Sequence, residues 1–467
     1  MRVSIPSRRL GAPVGLAMLG AVALAGCASP QLKETVDRID VMQQELETPP
    51  PEPPADGKAL GPDALLTNAN ARGKDFLRAR MSRARAVLDL DDVKSDRYPR
   101  ISTEARRIST YNGDDGEMTA VSNIVLGVNW DVSRALLRLD RSKVKVAGEL
   151  IPVQYQIAQR TATDNLVDTY NEYTALDFKR QEVALKQDGL KCSANDMEVE
   201  VALGNSSPSE LDALREQIAA AKREAMAVSR SVASKRDELL GLAGLAEGGY
   251  AVSPGVSVLS ALGHYPPVST DDADVCFASS GRKKLEELLV QEASAQLDLA
   301  RQSRFTRLTT SIPSFMTQTG GFNLQFLVSY VLPVIDQGDA LRLTQQARLT
   351  LLETILTARD NRRSFMSDFD SLNLEIAEAE SELAAASSAL AKAETTLGNA
   401  DEIERCAADI DLSKAREAVA KAEYKIDTLK GRLRLLCAPL SEKKVDMPEG
   451  LHDDAPAASP ATVANAG

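Results

Sequence analysis

From Val121 to Asp131 the apolar residues alternate, with Ile124, Leu126, Val128 and Trp130 sharing one face. Leu324, Phe326, Val328, Tyr330 and Leu332 do the same further on. A period of two belongs to a strand with one apolar face, and a period of 3.5 to 3.6 to a helix. Beyond Pro333 the spacing becomes helical for about sixty residues. A strand is therefore expected to run straight into a very long helix.

The same order of elements is expected twice. In the first copy a helix at about 60 to 92 leads to a strand from Tyr98, a turn at Tyr111–Gly116 and the Val121–Asp131 strand. A helix then runs from about 132 to 203, turns at Leu203-Gly204-Asn205 and returns to about Leu245. In the second copy a helix near 281 to 302 precedes strands near 304 to 313 and 321 to 332. A helix from about 334 to 397 follows, with a turn at Leu397-Gly398-Asn399 and a returning helix from about 410 to 437.

Heptads mark these helices. Leu412, Ala415, Val419, Ala422, Ile426, Leu429, Leu433 and Leu436 step by threes and fours. The preceding helix answers through Phe365, Phe369, Leu372, Ile376, Ala379, Leu383, Ala386, Leu390, Ala393 and Leu397, and the first copy through Leu211, Leu214, Ile218, Ala221, Ala225, Val228 and Val232. A seven-residue repeat drifts against a 3.6-residue turn, so such helices supercoil left-handedly when they pack. Two antiparallel coiled-coil hairpins are expected. Pro152, inside the first long helix, predicts a kink or superhelical bend.

The fold class is thus mainly α with a small β part, in two tandem strand-strand-helix-helix repeats. Four strands cannot close a barrel, because the smallest membrane barrels use about eight and lipid does not tolerate an open sheet edge. Three protomers would supply twelve strands, and the first long helix would reach roughly 108 Å.

Aromatic residues make up 4% and charged residues 26% of the chain, which suits extended helices and argues against large compact cores. Residues 1–26 read as an export signal: Arg2, Arg8 and Arg9 precede an apolar run too short to span a bilayer comfortably. The run ends in Leu24-Ala25-Gly26-Cys27, which resembles the lipobox of bacterial lipoproteins and implies diacylglyceryl attachment at Cys27. Ala28, where Asp is associated with inner-membrane retention, points to the outer membrane. Losing residues 1–26 removes three positive charges and no negative one, taking the net charge from −12 to −15. Such an acidic chain is a poor partner for nucleic acid.

Residues 27–59 are then a lipid-anchored segment with a Pro-rich linker, 60–245 the first repeat, 246–280 a connector, 281–440 the second repeat and 441–467 a disordered tail. The histidines are His264 in the connector and His452 in the tail. Neither has a paired partner at metal-ligand spacing, and no glycine loop suits a phosphate, so no catalytic residue, metal or cofactor is expected.

Over roughly residues 60 to 440 the chain resembles the TolC-type outer-membrane efflux protein family. The matching residues are Tyr98-Pro99, Trp130-Asp131, Leu332-Pro333 with Asp336 and Gly338, and Gly204 followed by Glu210-Leu211. The resemblance implies a homotrimeric outer-membrane channel with its body in the periplasm, and the lipobox adds a lipid anchor at Cys27. Its helical tips would meet a periplasmic adaptor or inner-membrane transporter. The tip candidates are Gly204, Asn205 and Glu210 in the first copy, and Gly398, Asp401, Glu402 and Glu404 in the second. The three acids would form stacked rings at the periplasmic mouth, or would merely complement a helix dipole. The second tip, read as Gly398–Ile410, is longer than the family pattern. Glu104, Arg106 and Arg107 in the first strand suit a wet lumen better than lipid. That leaves a second expectation, a periplasm-spanning structural lipoprotein that scaffolds an envelope assembly without conducting.

Four cysteines remain beyond Cys27. Cys406 and Cys437 lie 31 residues apart on one helix, or about 46 Å, too far for a bond whose Cα atoms sit about 4.4 to 6.8 Å apart. Cys192 and Cys406 stand roughly 18 and 12 Å above their respective tips. Cys276 and Cys437 both belong well away from the tips. Helical rise therefore favours Cys192 with Cys406 and Cys276 with Cys437, the alternative being unpaired or intermolecular thiols.

Overall fold

The structure, a computed structural model, describes residues 30–49, 59–95, 100–111, 118–131, 141–246, 248–264, 272–302, 307–316, 322–324, 327–331, 339–400 and 405–439. Chain contacts divide it into two units, Met1–Gln44 with Ser441–Gly467, and Glu45–Leu440. The described part of the first unit belongs to helix α1 (Pro30–Glu47). The lipobox with Cys27, most of the Pro-rich linker, the C-terminal tail and both strand-to-helix junctions lie outside the described residues.

In the second unit, α2 (Pro62–Arg72) and α3 (Lys74–Ser95) stand where one helix was expected. The break falls at Gly73, where a Cβ would lie 2.6 Å from the carbonyl oxygens of both Ala69 and Leu242. Only glycine allows the chain to approach so closely there. Strands β1 (Arg100–Tyr111) and β2 (Met118–Asp131) pair antiparallel in unbroken register, from Arg100 with Asn129 to Tyr111 with Met118.

Helices α4 (Arg141–Ala202) and α5 (Pro208–Leu242) form the first hairpin. The 62-residue α4, about 93 Å long, continues through Pro152 without a break in its helical run. Among its described residues the connector carries the short α-helices α6 (Val258–Ala261), continued by a 3-10 turn at Leu262–His264, and α7 (Ala273–Ser279). Helix α8 (Arg282–Gln302) and strand β3 (Arg307–Met316) come next, then β4 (Phe322–Leu324), β5 (Leu327–Val331) and the second hairpin, α9 (Asp339–Asn399) with α10 (Arg405–Cys437).

The sheet joins the two copies. β2 pairs with β3, while β4 and β5 both pair along the other edge of β3 and together occupy the fourth strand position. β3 runs three residues past its expected end, through Pro313, which sits opposite Gly127. In an antiparallel ladder a residue directs its N–H and C=O to one neighbour, so proline removes one bond without ending the strand.

The heptads pack as their spacing predicts. Phe365, Phe369 and Ala379 on α9 are buried with Ala408, Leu412, Ala415, Ala422, Ile426, Leu429 and Leu433 on α10, and Leu211, Ala221, Val228 and Val232 are buried on α5. Exposed ion pairs flank both seams, Lys186–Glu224 and Arg215–Glu198 in the first hairpin, Lys425–Glu382 and Lys430–Glu380 in the second. Each contributes about 0–1 kcal/mol and fixes register more than stability.

The expectation of no sizeable core is corrected by the connector. Tyr250, Val252, Val258 and Leu262 join Leu65, Phe76, Leu166, Tyr170, Leu239, Leu240 and Leu435 in one buried cluster. Leu60 and Val252 form a parallel bridge, with Leu60 N donating to Ala251 O at 2.8 Å and Ser253 N to Leu60 O at 2.9 Å. The hydroxyls of Tyr170 and Tyr173 donate to Ser253 O (2.7 Å) and Val252 O (3.0 Å). A segment punctuated by Gly and Pro thus folds back onto the helices because two tyrosines satisfy its carbonyls.

Candidate functional site: the hairpin tips and the seam between hairpins

The first tip is a compact reversal. α4 ends with Asn205 N bonded to Glu200 O (2.9 Å) and Gly204 N to Val201 O (3.1 Å), around Gly204 at φ +80°. No neighbouring atom lies within 4 Å of a Cβ at Gly204, so the left-handed backbone, rather than space, calls for glycine. Helix α5 starts with a reciprocal cap: Ser207 Oγ accepts from Glu210 N (3.4 Å) and Glu210 Oε2 accepts from Ser207 N (3.1 Å). Pro208 occupies the first turn, where its missing N–H costs nothing. Val199 and Leu203 are 60% and 70% exposed beside this turn.

The second tip differs from its expected form. α9 runs through Gly398 to Asn399, so Gly398 lies in the last helical turn rather than in the reversal. α10 begins at Arg405, five residues before the expected start. The reason is packing: buried Ala408 extends the Leu412–Ala415 face one step back, and Arg405, Ala407 and Ala408 are good helix formers. The reversal is accordingly shorter than expected. Asp401, Glu402 and Glu404 lie outside the described residues.

Between the hairpins α4 and α10 run antiparallel. As numbering climbs on α4 it falls on α10: Arg432 pairs with Asp168, Tyr424 Oη donates to Asn171 Oδ1 (2.7 Å) and Thr428 Oγ1 to the same oxygen (3.3 Å). The rings of Phe178 and Tyr424 lie 5.9 Å apart. A Cβ on Gly189 would sit 3.8 Å from Ile410 Cγ2. This seam mixes polar pairs with ring and aliphatic contacts, where the seams inside each hairpin are apolar.

Disulfides tie both ends of α10, one onto α4 and the other onto the connector helix α7. Cys192 and Cys406 form a disulfide with Cα atoms 6.3 Å apart, and Cys276 and Cys437 form another with Cα atoms 4.7 Å apart. Near the second disulfide, buried Arg160 donates to Ser280 O (2.9 Å), Ala438 O (2.6 Å) and Pro439 O (3.4 Å). A cleft of ≈ 260 Å³ beside it is lined by Asp164, Asp168, Arg282 and Arg432. Burial, and then Asp168, push the Asp164 carboxyl up, while Arg432 and Arg282 pull it down. Arg160 escaped sequence reading because a lone arginine on a long helix carries no signal of burial.

Burial and then the facing Glu182 carboxylate also push Glu417 up, against the pull of Lys421. A carboxyl whose folded-state value is raised contributes stability below its unfolded value, and that stability is lost as pH rises through the folded value. Glu417→Gln is therefore expected to stabilise the protein at pH 7 by about 0.3 kcal/mol, the scale of a solvent-screened like-charge pair. In urea melts the gain should vanish as pH falls below the ordinary glutamate value of 4.5. A gain that persists at lower pH would assign it to packing.

Among the described residues no group of three or more His, Cys, Asp or Glu is placed to hold a metal ion. No described helix is long and apolar enough to cross a membrane.

No protein-family model matches the chain. No curated protein sequence matches it either. Solved structures do. The outer membrane protein VceC of Vibrio cholerae superposes with a TM-score of 0.58 at 13% identity, over 81% of this chain and 96% of VceC. CusC, described in terms of transmembrane channel formation, gives 0.60 at 14% over 83% and 96%. The open state of the MtrE outer membrane channel of Neisseria gonorrhoeae gives 0.59 at 17% over 81% and 89%. At such identities the likeness is one of architecture: this chain has the fold of these outer-membrane channel proteins.

Proposed function

We propose that this chain is a lipoprotein member of the TolC-type family. It would be one protomer of a homotrimeric outer-membrane channel that passively conducts substrate from periplasm to exterior in a tripartite efflux or secretion system. The observation that carries this reading is the junction of a four-position sheet, paired on one side only at β1 and at β4 with β5 among the described residues, with two helical hairpins. Unpaired sheet edges require neighbours, and copies of the chain supply them. Exposed Leu341, Leu349, Leu352 and Leu356 on α9 give the helices a surface for the same neighbours. In this reading residues 1–26 are removed, Cys27 carries the lipid, and residues 60–245 and 281–440 are the two repeats. Residues 246–280 connect the repeats, and the tips at Gly204, Asn205 and Glu210 and at Gly398 to Glu404 meet the adaptor or inner-membrane transporter.

Purified protein in a planar bilayer is expected to give discrete single-channel steps. Replacing Asp401, Glu402 and Glu404 with their amides should weaken cation preference if those carboxylates line the mouth. The second reading, a non-conducting envelope scaffold, draws on Glu104, Arg106 and Arg107 within β1. Trimers that insert without conducting would favour it.

A further inference from the structure

We propose that the Cys192–Cys406 disulfide is a reducible staple that makes the two hairpin tips of a protomer one moving body, and that it opens independently of Cys276–Cys437. Two observations separate the bonds. Cys276 and Cys437 are 0% and 1% exposed, packed among Phe277, Phe365, Phe369 and Leu433. Cys192 is buried, but its partner Cys406 is exposed in the first turn of α10. Reduction requires a thiolate to reach a sulfur, so solvent access decides which bond opens first.

The contacts along the seam explain why the staple matters. Towards Arg160 the hairpins are joined by Asp168–Arg432, by Asn171 with Tyr424 and Thr428, and by the Phe178–Tyr424 ring contact. Towards the tips the facing charges Glu182 and Glu417 are of like sign. Over that stretch the covalent bond acts beside the Gly189–Ile410 approach and against a like-charge pair that Lys421 offsets in part. With the bond closed, the tips move together and any change of aperture falls between protomers. With it open, the α9–α10 tip is released from α4 while Arg160 and Cys276–Cys437 hold the other end.

An external dithiol performs the step. Its thiolate attacks the Cys406 sulfur, the S–S bond breaks and Cys192 leaves as a thiolate that takes up a proton. The second thiol of the reagent then displaces Cys406 as a protonated thiol. The dithiol ends as a disulfide, having given two electrons and two protons to the pair.

The statement about aperture rests on the channel reading, whereas the staple does not, and the test keeps them apart. Full-length protein is titrated with dithiothreitol, alkylated and mapped without further reduction, with hydrogen exchange and bilayer conductance followed in parallel. Cys192–Cys406 is expected to open at a concentration about tenfold or more below that opening Cys276–Cys437. Exchange should then rise near residues 189–200 and 405–415 while staying unchanged near 365–372 and 429–437. The Cys192→Ser/Cys406→Ser variant should reproduce that pattern, and if it does not assemble, selectively reduced wild type carries the comparison. Simultaneous opening of both bonds, or unaltered tip exchange after selective reduction, would overturn the proposal. Selective opening with loosened tips but no conductance in either state would uphold the staple and sink the channel reading.

Discussion

Arg160→Met is expected to lower stability by about 3–5 kcal/mol, the scale of leaving buried partners of a charged group without their donor. Arg160 is 9% exposed and gives its guanidinium hydrogens to Ser280, Ala438 and Pro439 carbonyls. Ser280 caps α7, and Ala438 and Pro439 follow α10, so all three oxygens stand at helix C-terminal ends that carry partial negative charge. Methionine preserves most of the volume and none of the donors. Arg160→Lys should recover less than half of the loss, because an ammonium cannot span oxygens from two elements as a planar fork does. Urea melts of detergent-solubilised protein give the magnitude, and faster hydrogen exchange at residues 276–282 and 436–439 locates it. A loss below about 1 kcal/mol would mean that water replaces the guanidinium at these carbonyls.

What was legible in the sequence was whatever obeys a fixed period. Steps of three and four from Phe365 to Leu397 name one face of α9, and along it the side chains are buried or half-buried. Alternation at Ile124 to Trp130 placed β2, and that from Leu324 to Leu332 fell across two strands, β4 and β5, with Phe326 and Leu332 outside the described residues, while Pro313 hid the end of β3. Cysteine heights along the hairpins follow from one constant, the rise per helical residue. Aperiodic features could not be read this way. The division at Gly73 depends on the approach of Leu242, far away in sequence, and Gly398 resembles a turn residue until Ala408 is seen to extend the packed face. The connector carries its apolar residues without a regular period, and the hydroxyls of Tyr170 and Tyr173, some eighty residues earlier, hold it against the helices. Between the hairpins the seam leaves no periodic trace, because polar pairs, a ring contact and an aliphatic approach follow one another and each occurs once.

The triple variant Leu349→Glu/Leu352→Glu/Leu356→Glu is expected to convert the proposed trimer into single chains. These leucines are 59%, 49% and 58% exposed, and their spacing of three and four puts them on one face of α9. The other face is already occupied: Thr344 is buried, and Ala347, Leu351, Ile355 and Ala358 are half-buried where α9 packs against α8. Burying the exposed half of a leucine is worth about 1 kcal/mol, so three per protomer contribute roughly 9 kcal/mol to a closed trimer. Introducing carboxylates at the same positions adds the cost of desolvating like charges around a threefold axis. The detergent-corrected mass should fall to that of one chain and conductance should disappear. Circular dichroism should keep its helical signal, because the Phe365, Phe369 and Ile426 packing inside the hairpin is untouched. A variant that remains trimeric and conducting would remove this leucine face from the interface and leave the sheet edges as the surfaces that bring protomers together.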